Sequence, residues 1–191
     1  MACVWAVTGA CAVQEAIDAR DTEALRPERS RVDAQAIRAA REHFPVERLE
    51  PITGAQYGLD TSFLLARVKV NETHSYLAVG LVRNDGEWKV EVGIGEAFTA
   101  VVGGPPPFQD LPRRGSREMD AVALTAGDRQ GLIGFVDTEV QSLQVITEDG
   151  ETFDEIEPGR KGSFVLLIEP GMTVEGIVRG RRVRIRSNAL S

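Results

Sequence analysis

The chain has 191 residues, of which 42% are hydrophobic and 27% are charged. This composition is that of an ordinary globular protein, which excludes the disordered and fibrous classes, and the length fits one large domain or two small ones. The 29 acidic residues outnumber the 22 basic ones and give a net charge of −7, which argues against nucleic-acid binding over the whole surface.

The first thirteen residues are mostly small and apolar, and no charged residue precedes Glu15. They have the length of the apolar part of a signal peptide but lack its basic start. The segment Thr8-Gly9-Ala10-Cys11 only partly fits a lipoprotein cleavage site. The pattern favours the start of a first helix, with a shortened signal peptide as the alternative. The signal peptide would place the protein in the cell envelope or outside the cell, and the alternative location is the cytoplasm.

The two cysteines, Cys3 and Cys11, both lie in this segment. They would be about 12 Å apart in a helix, which is too far for a disulfide. Two cysteines also cannot supply a four-cysteine zinc site, and the acidic segment around Asp149 lacks the alternating oxygen ligands of a calcium loop. We therefore predict no metal site and no cofactor.

Two amphipathic helices are predicted next. Apolar residues at helical spacing indicate the first between residues 13 and 25. A second runs from an N-cap at Ser30 to Phe44, because Pro45 stops it. Both helices have one apolar face, which we expect to cover a sheet.

After Pro51 the hydrophobic period changes from about 3.6 to 2, which predicts strands over residues 64–70, 76–82 and 87–94. Asn84, Asp85 and Gly86 favour a tight hairpin between the last two of these strands. Trp88 belongs to the apolar face of the third strand. The first half of the chain is therefore predicted to be an α+β module in which helices pack on a curved antiparallel sheet.

Two segments of this module resemble a known family. Residues 14–25, QEAIDARDTEAL, are similar to the opening helix and turn of nuclear transport factor 2-like (cystatin-like) domains, and residues 81–90, LVRNDGEWKV, resemble the hairpin that closes many of them. The resemblance implies a cone-shaped fold that can enclose an apolar cavity. Some members are isomerases or cyclases, whereas many others are envelope lipoproteins or assembly subunits without catalytic activity.

The resemblance also implies where catalytic residues would lie. Isomerase-type members use a buried carboxylate as the base and a tyrosine or a second acid as the oxyanion donor. The candidates here are Asp60, Tyr57, Tyr76 and His74. Tyr57 and Asp60 lie in a glycine-flanked segment that we predict to be a loop before the strand, so a structural role is favoured for each candidate.

A glycine- and proline-rich stretch breaks every period after Val102. We predict that residues 1–102 form the α+β domain, that residues 103–119 form a linker, and that residues 120–191 form a second domain. Turn residues separate short apolar runs in this second part, which predicts a small immunoglobulin-like β-sandwich or a small barrel. Because about 72 residues make a marginal core, we expect it to dock on the first domain. The seven predicted strands cover residues 121–125, 132–136, 142–147, 152–157, 163–168, 173–178 and 182–186.

Charge is uneven in the second part. Six acids lie between residues 148 and 157, and five arginines lie between residues 179 and 186. In one strand, Arg182, Arg184 and Arg186 share a face while Val183 and Ile185 point to the core. One interpretation is a charged edge strand whose arginines pair with Glu151, Asp154 or Glu155; this is the favoured one. The other is a basic docking surface for anionic lipid, polymer or an acidic partner.

No set of acid, base and nucleophile converges in the sequence, so we predict a non-catalytic binding or assembly protein associated with the cell envelope. The alternative is an isomerase- or cyclase-type enzyme that uses Asp60 with Tyr57 or Tyr76. The expected partners are a protein, a small apolar ligand or a membrane surface that the chain contacts peripherally. Nucleic acid is not expected, because the arginine segment lacks aromatic residues on which bases could stack. The sequence leaves the oligomeric state open.

Overall fold

The structure, a computed structural model, describes residues 28–70, 72–95, 108 and 111–187. Its first part contains one α-helix and five strands. These are β1 (Arg29–Ser30), α1 (Ala34–His43), β2 (Arg48–Tyr57), β3 (Thr61–Val70), β4 (Thr73–Asn84) and β5 (Glu87–Gly95). The five strands lie in chain order in one antiparallel sheet, which we call sheet A. The three predicted strands are confirmed, and each is longer than its apolar alternation indicated.

The second part adds eight strands and a 3₁₀ turn at Arg160–Gly162. The strands are β6 (Glu118–Ala126), β7 (Arg129–Val136), β8 (Ser142–Ile146), β9 (Thr152–Ile156), β10 (Ser163–Ile168), β11 (Thr173–Val178), β12 (Arg181–Arg184) and β13 (Arg186–Ser187). They form sheet B, in the order β10-β7-β6-β13, and sheet C, in the order β12-β11-β8-β9. Within the described ranges the protein is thus mostly antiparallel β with one short α-helix, and none of its three sheets closes.

The α-helix α1 begins later than the sequence predicted. Its N-cap is Asp33, whose Oδ1 accepts a hydrogen bond from the backbone N–H of Gln35 at 2.8 Å, whereas Ser30 lies in β1. Trp88 Nε1 donates to the other oxygen of Asp33 at 3.4 Å. The hydrogen bond from the backbone N–H of Gln35, together with the one from the Trp88 side chain, lowers the pKa of Asp33 below its ordinary value. One carboxylate therefore caps the helix and joins it to β5.

Both faces of sheet A are covered. On one face, Leu64 and Leu77 pack against Ala36 and Ala40 of α1, and Trp88 is buried in the same cluster, as predicted. Side chains alternate along a strand, so the opposite face carries a second set of residues. This set comprises Ala55, Tyr57, Phe63, Leu65 and Ala78, all without exposed surface.

The second face of sheet A packs against sheet B. Its residues belong to one hydrophobic cluster with residues of sheets B and C. The ring of Tyr76 in β4 meets the ring of Phe135 in β7 edge-on, with 4.8 Å between centroids. Glu91 of β5 also accepts a hydrogen bond from the backbone of Gly127 at 2.6 Å. The expected docking of the second part on the first is confirmed.

The strand β2 was missed by the sequence analysis. The glycine-flanked segment that was predicted to be a loop before the strand contains its second half, and Tyr57 is its last residue. Pro51 and Gly54 are rare in strands, but Pro51 lies at a register shift in the β2–β3 pairing. A Cβ at Gly54 would lie 2.6 Å from Val32 Cγ2 and 2.9 Å from the carbonyl oxygen of Phe63. Gly54 is therefore needed for close packing and not for a turn.

Some predictions fall partly or wholly outside the described residues. They are the first helix, the N-terminal cysteine segment and most of the glycine- and proline-rich linker. At the linker's end, β6 begins at Glu118, so the last two predicted linker residues belong to a strand. Of the helices in the described ranges, none has the length and hydropathy to cross a membrane.

Candidate functional site

The candidate catalytic residues are placed in different surroundings. Tyr57 is fully buried, and this burial raises the pKa of its hydroxyl above the ordinary value. Tyr57 pairs with Thr61, which pairs with Val82 on β4. Tyr76 lies six positions away along β4, and at about 3.3 Å per residue this separation is about 20 Å. The two tyrosines are therefore not brought together.

Asp60 lies in the exposed turn between β2 and β3. Its Oδ1 accepts a hydrogen bond from Thr61 Oγ1 at 3.3 Å. A general base of the isomerase type needs a carboxyl group that is buried. The exposed position of Asp60 does not provide these surroundings.

The sheet face that carries Tyr57, Phe63 and Tyr76 is occupied by the second part of the chain. Phe63 lies so close to Gly131 of β7 that a Cβ on this glycine would be 2.7 Å from the ring. Tyr76 is half-buried against Phe135 on the same face. Apolar side chains of sheet B therefore fill the space beside these residues, whereas the cavity that the resemblance implied would lie on the opposite face, between sheet A and α1.

The predicted arginine strand is divided between two sheets. Arg182 and Arg184 lie on β12 in sheet C, whereas Arg186 lies on β13, which pairs in parallel with β6 in sheet B. Between them, Ile185 is buried in the hydrophobic cluster and Val183 packs against it, as the alternation predicted. We call Arg181, Arg182, Arg184 and Arg186 the arginine edge.

The expected ion pairs of these arginines with Glu151, Asp154 or Glu155 are wrong for Arg182 and Arg184. β12 and β9 are opposite edge strands of sheet C, and β11 and β8 lie between them. Three strand spacings separate the two edges by about 14 Å, which is beyond direct contact. Arg182 instead pairs with Glu175 on the neighbouring strand β11, with 3.2 Å between Nε and Oε2. Glu155 accepts a hydrogen bond from Ser142 on β8 at 2.9 Å.

The other residues of the arginine edge are exposed and unneutralised within the described ranges. Arg181, Arg184 and Arg186 form no ion pair with a described residue, and all three are exposed. Two further arginines beside the edge share one acid, since Arg114 Nε and Arg179 Nη2 lie 3.1 and 3.8 Å from Glu139 Oε1. Positive charge is therefore in local excess, although the whole chain is acidic.

A two-residue turn fixes the orientation of β12. Arg179 and Gly180 have φ values of 51° and 72°, and Val178 pairs with Arg181 directly outside them. In such a hairpin the flanking pair exchanges backbone hydrogen bonds, and every second pair along the strands repeats this pattern. Arg181 and Val183 therefore direct their backbone groups to β11. The N–H and C=O groups of Arg182 and Arg184 point away from sheet C, where no described strand pairs with them.

Comparisons of the chain with protein-family models, with curated proteins and with solved structures found no match. The described part contains no group of three or more His, Cys, Asp and Glu residues that is placed to hold a metal ion. The candidate site is therefore defined by its own geometry. It is the arginine edge, which combines excess positive charge with the free backbone groups of its residues on the short exposed strand β12.

The sequence pattern predicted three of the four arginines but not their arrangement. Glu175, the ion-pair partner of Arg182, could have been found from the sequence. The turn at Arg179-Gly180 pairs β11 with β12 and places residue 175 opposite residue 184, two positions from Arg182. The crossing from sheet C to sheet B at Ile185 leaves no such signal. It depends on the pairing of Arg186 with Glu118, which is remote in sequence.

Proposed function

We propose that the chain is a non-catalytic binding or assembly protein, and that it docks a negatively charged partner on the arginine edge. The observation that carries the proposal is the exposure of Arg181, Arg184 and Arg186 without an ion pair to any described residue. A protein of net charge −7 disfavours anionic partners at most of its surface. A local basic edge would therefore both attract an anionic partner and fix the orientation in which that partner binds.

The position of the edge supports binding more than structural stabilisation. Exposed ion pairs contribute only about 0–1 kcal/mol each, and the one pair on β12, between Arg182 and Glu175, is partly exposed at both ends. The hydrophobic cluster below already contains Ile185 and packs against Val183. Removal of the guanidinium groups should therefore leave the fold nearly as stable as before.

The proposal extends to the fold and the location. A helix on one face of a five-stranded antiparallel sheet supports a nuclear transport factor 2-like fold for the first part, as the resemblance of residues 14–25 and 81–90 implied. The shared cluster of sheets B and C supports a β-sandwich in the second part. The apolar N-terminal segment supports a location in the cell envelope, where assembly proteins with such domains occur.

The test is a triple variant with Arg182→Ser, Arg184→Ser and Arg186→Ser. Binding to poly-L-glutamate and to phosphatidylglycerol vesicles would be measured by sedimentation at several NaCl concentrations. We expect the wild type to bind at least one of these probes, less tightly as salt rises, because exposed charges are screened within about 8–10 Å. The triple variant should bind on the order of tenfold more weakly or not at all.

The matched control carries Arg31→Ser, Arg38→Ser and Lys89→Ser, which removes the same charge from exposed positions elsewhere. It should bind like the wild type. Both variants should have melting temperatures within a few degrees of the wild-type value. A wild type that binds neither probe, or a triple variant that binds as well as the wild type, would contradict the proposal.

A further inference from the structure

We infer that β12 binds an extended acidic peptide of another protein, which adds to sheet C as an antiparallel strand. This inference rests on the proposed function and names the partner of the same site. An exposed sheet edge is a template for strand addition, since its unpaired backbone groups can hydrogen-bond another chain. β12 is such an edge among the described strands.

The backbone of β12 sets the register of the added strand. The free N–H and C=O groups belong to Arg182 and Arg184, because Arg181 and Val183 use theirs toward β11. Two peptide residues, separated by one position, would therefore exchange hydrogen bonds with these two arginines. In an antiparallel pair, residues that face each other in this way carry their side chains on the same face of the sheet.

Charge determines which side chains those two peptide residues carry. Arg182 and Arg184 project from one face of β12 and are about 7 Å apart along the strand. Glu175 faces this pair from the β11 side and, among the described residues, forms an ion pair with Arg182 alone. Acidic residues at positions i and i+2 of the peptide would meet one arginine each. They would complete a row of alternating charge across β11, β12 and the peptide.

The opposite face selects an apolar residue between the two acids. Val183 is half-buried at the rim of the hydrophobic cluster, directly between Arg182 and Arg184. A peptide residue on that face would cover Val183 and remove more apolar surface from water. The expected recognition pattern is therefore acidic, apolar, acidic.

This geometry favours a peptide over a flat anionic surface. Arg182 and Arg184 share a face, but Arg186 follows a crossing to another sheet, so the edge does not form one basic plane. A membrane surface attracts each nearby basic residue independently, by about 1 kcal/mol. It would make no use of the free backbone groups.

The experiment uses the whole chain and a seven-residue fluorescent peptide in which Glu and Val alternate, with Glu at both ends. Binding is followed by fluorescence anisotropy. A scrambled peptide with the valines together keeps the charge and loses the alternation. We expect the scrambled peptide to bind on the order of tenfold more weakly, because only two residues can then meet their partners.

Backbone methylation separates strand addition from charge attraction. Methyl groups on the Glu amides remove the N–H groups that face β12, whereas methyl groups on the Val amides remove those that point away. We expect the first peptide to lose on the order of tenfold in affinity and the second to bind like the parent, apart from a small general effect of the methyl groups. Equal affinities of the two methylated peptides would overturn the inference.

Two variants test the protein side. Arg184→Ala removes a charge, and Arg184→Pro removes the same charge together with the outward N–H while leaving the bonds to β11 in place. We expect Arg184→Pro to bind the peptide more weakly than Arg184→Ala, and both to remain folded by circular dichroism. Equal binding by the two variants would count against strand addition.

Failure of the inference can be told apart from failure of the proposed function. If poly-L-glutamate binds and depends on the arginines, but the scrambled and methylated peptides bind like the parent, the arginine edge is an electrostatic site and strand addition is overturned. Binding of vesicles alone would also overturn it. A third outcome would overturn it as well: the chain associates with itself, the double variant Arg182→Glu with Arg184→Glu abolishes this self-association, and the peptide does not bind. If no acidic probe binds, both ideas fail.

Discussion

Asp137 is a buried carboxylate that holds two connections of the chain in place. Its Oδ2 accepts a hydrogen bond from the backbone N–H of Arg117, and its Oδ1 accepts one from Glu139, both at 3.0 Å. The carbonyl oxygen of Arg117 in turn accepts a hydrogen bond from the backbone of Arg186. Burial raises the pKa of Asp137, but the hydrogen bonds from Glu139, Arg117 and Gly115 outweigh it, so the pKa lies below its ordinary value.

We expect Asp137→Ala to lower the free energy of unfolding by about 2–4 kcal/mol, because it removes a buried carboxylate and leaves the backbone N–H groups of Arg117 and Glu139 without their acceptor. Asp137→Asn keeps one acceptor oxygen and should cost about half as much. Urea unfolding at pH 7 measures both values. A variant with alanine that unfolds at the wild-type urea concentration would show that these bonds contribute nothing.

The same residue predicts a pH dependence. A carboxyl group whose pKa is lower in the folded state stabilises the fold fully above its unfolded pKa of about 3.9, and this stabilisation is lost as the pH falls through the folded pKa. The difference in unfolding free energy between the wild type and Asp137→Asn should therefore be constant from pH 5 to pH 8 and should shrink below about pH 4.

At the scale of elements, the contact between β3 and β7 sets how closely sheets A and B approach. Gly131 lies under the ring of Phe63, and a Cβ there would be 2.7 Å from two ring carbons. We expect Gly131→Ala to lower the free energy of unfolding by about 1–3 kcal/mol, because the ring or the sheet must move. Thr125→Ala on the exposed face of neighbouring β6 serves as the control and should change stability by less than about 0.5 kcal/mol.

A second substitution tests whether this contact is the cause. Phe63→Leu makes room above residue 131, so the double variant should be less destabilised than the sum of the two single variants, by about 0.5 kcal/mol or more. Strict additivity would place the strain of Gly131→Ala elsewhere in the structure.

Elements with clear alternation were predictable from the sequence. The run from Glu87 to Ile94 follows the period of 2 throughout and is a strand with Trp88 on the buried face. All seven predicted strands of the second part are present, and only the last is divided. β2 was not predictable, since Pro51 and Gly54 oppose a strand and their acceptance depends on Val32 and Phe63, which lie elsewhere in the chain.

The candidate site was predictable only at the level of single side chains. Alternation correctly placed Val183 and Ile185 inward and the arginines outward. Alternation does not indicate the order of the strands in a sheet. In sheet C, β12 is an edge strand and β9 is the opposite edge, which excludes Glu155 as a partner and leaves the outer backbone groups of β12 unpaired by any described strand. The order of strands in a sheet depends on packing contacts between residues that are far apart in sequence, so a local sequence pattern does not predict it.

At the scale of the molecule, the two parts share one hydrophobic cluster, and a second cluster lies between sheet A and α1. We expect the chain to unfold in a single transition by heat or urea, since neither part can lose its partner without exposing Phe63, Tyr76 and Phe135. Tryptophan fluorescence, which includes Trp88 of sheet A, and far-ultraviolet circular dichroism, which reports all three sheets, should give the same midpoint. Two separated midpoints would show that the parts unfold independently.

Limited proteolysis addresses the predicted boundary between the parts. Trypsin should cut first at Arg113 or Arg114, which are exposed and precede β6, and later at Arg117, whose backbone is bonded to Asp137 and Arg186. The two fragments should still elute together from a gel-filtration column under native conditions. First cleavage inside β3, β4 or β5 would contradict the boundary.

The parallel pairing of β13 with β6 has a consequence for the order of folding. β6 opens the second part, and the start of its outer edge, at Glu118 and Met119, pairs with Arg186 and Ser187, which are synthesised last among the described residues. A ribosome that adds roughly 5–20 residues per second leaves this part of the edge unpaired for several seconds before β13 emerges. During this interval the backbone groups at the start of β6 can pair with another nascent chain, and the slow, non-local closure at β13 ends the exposure.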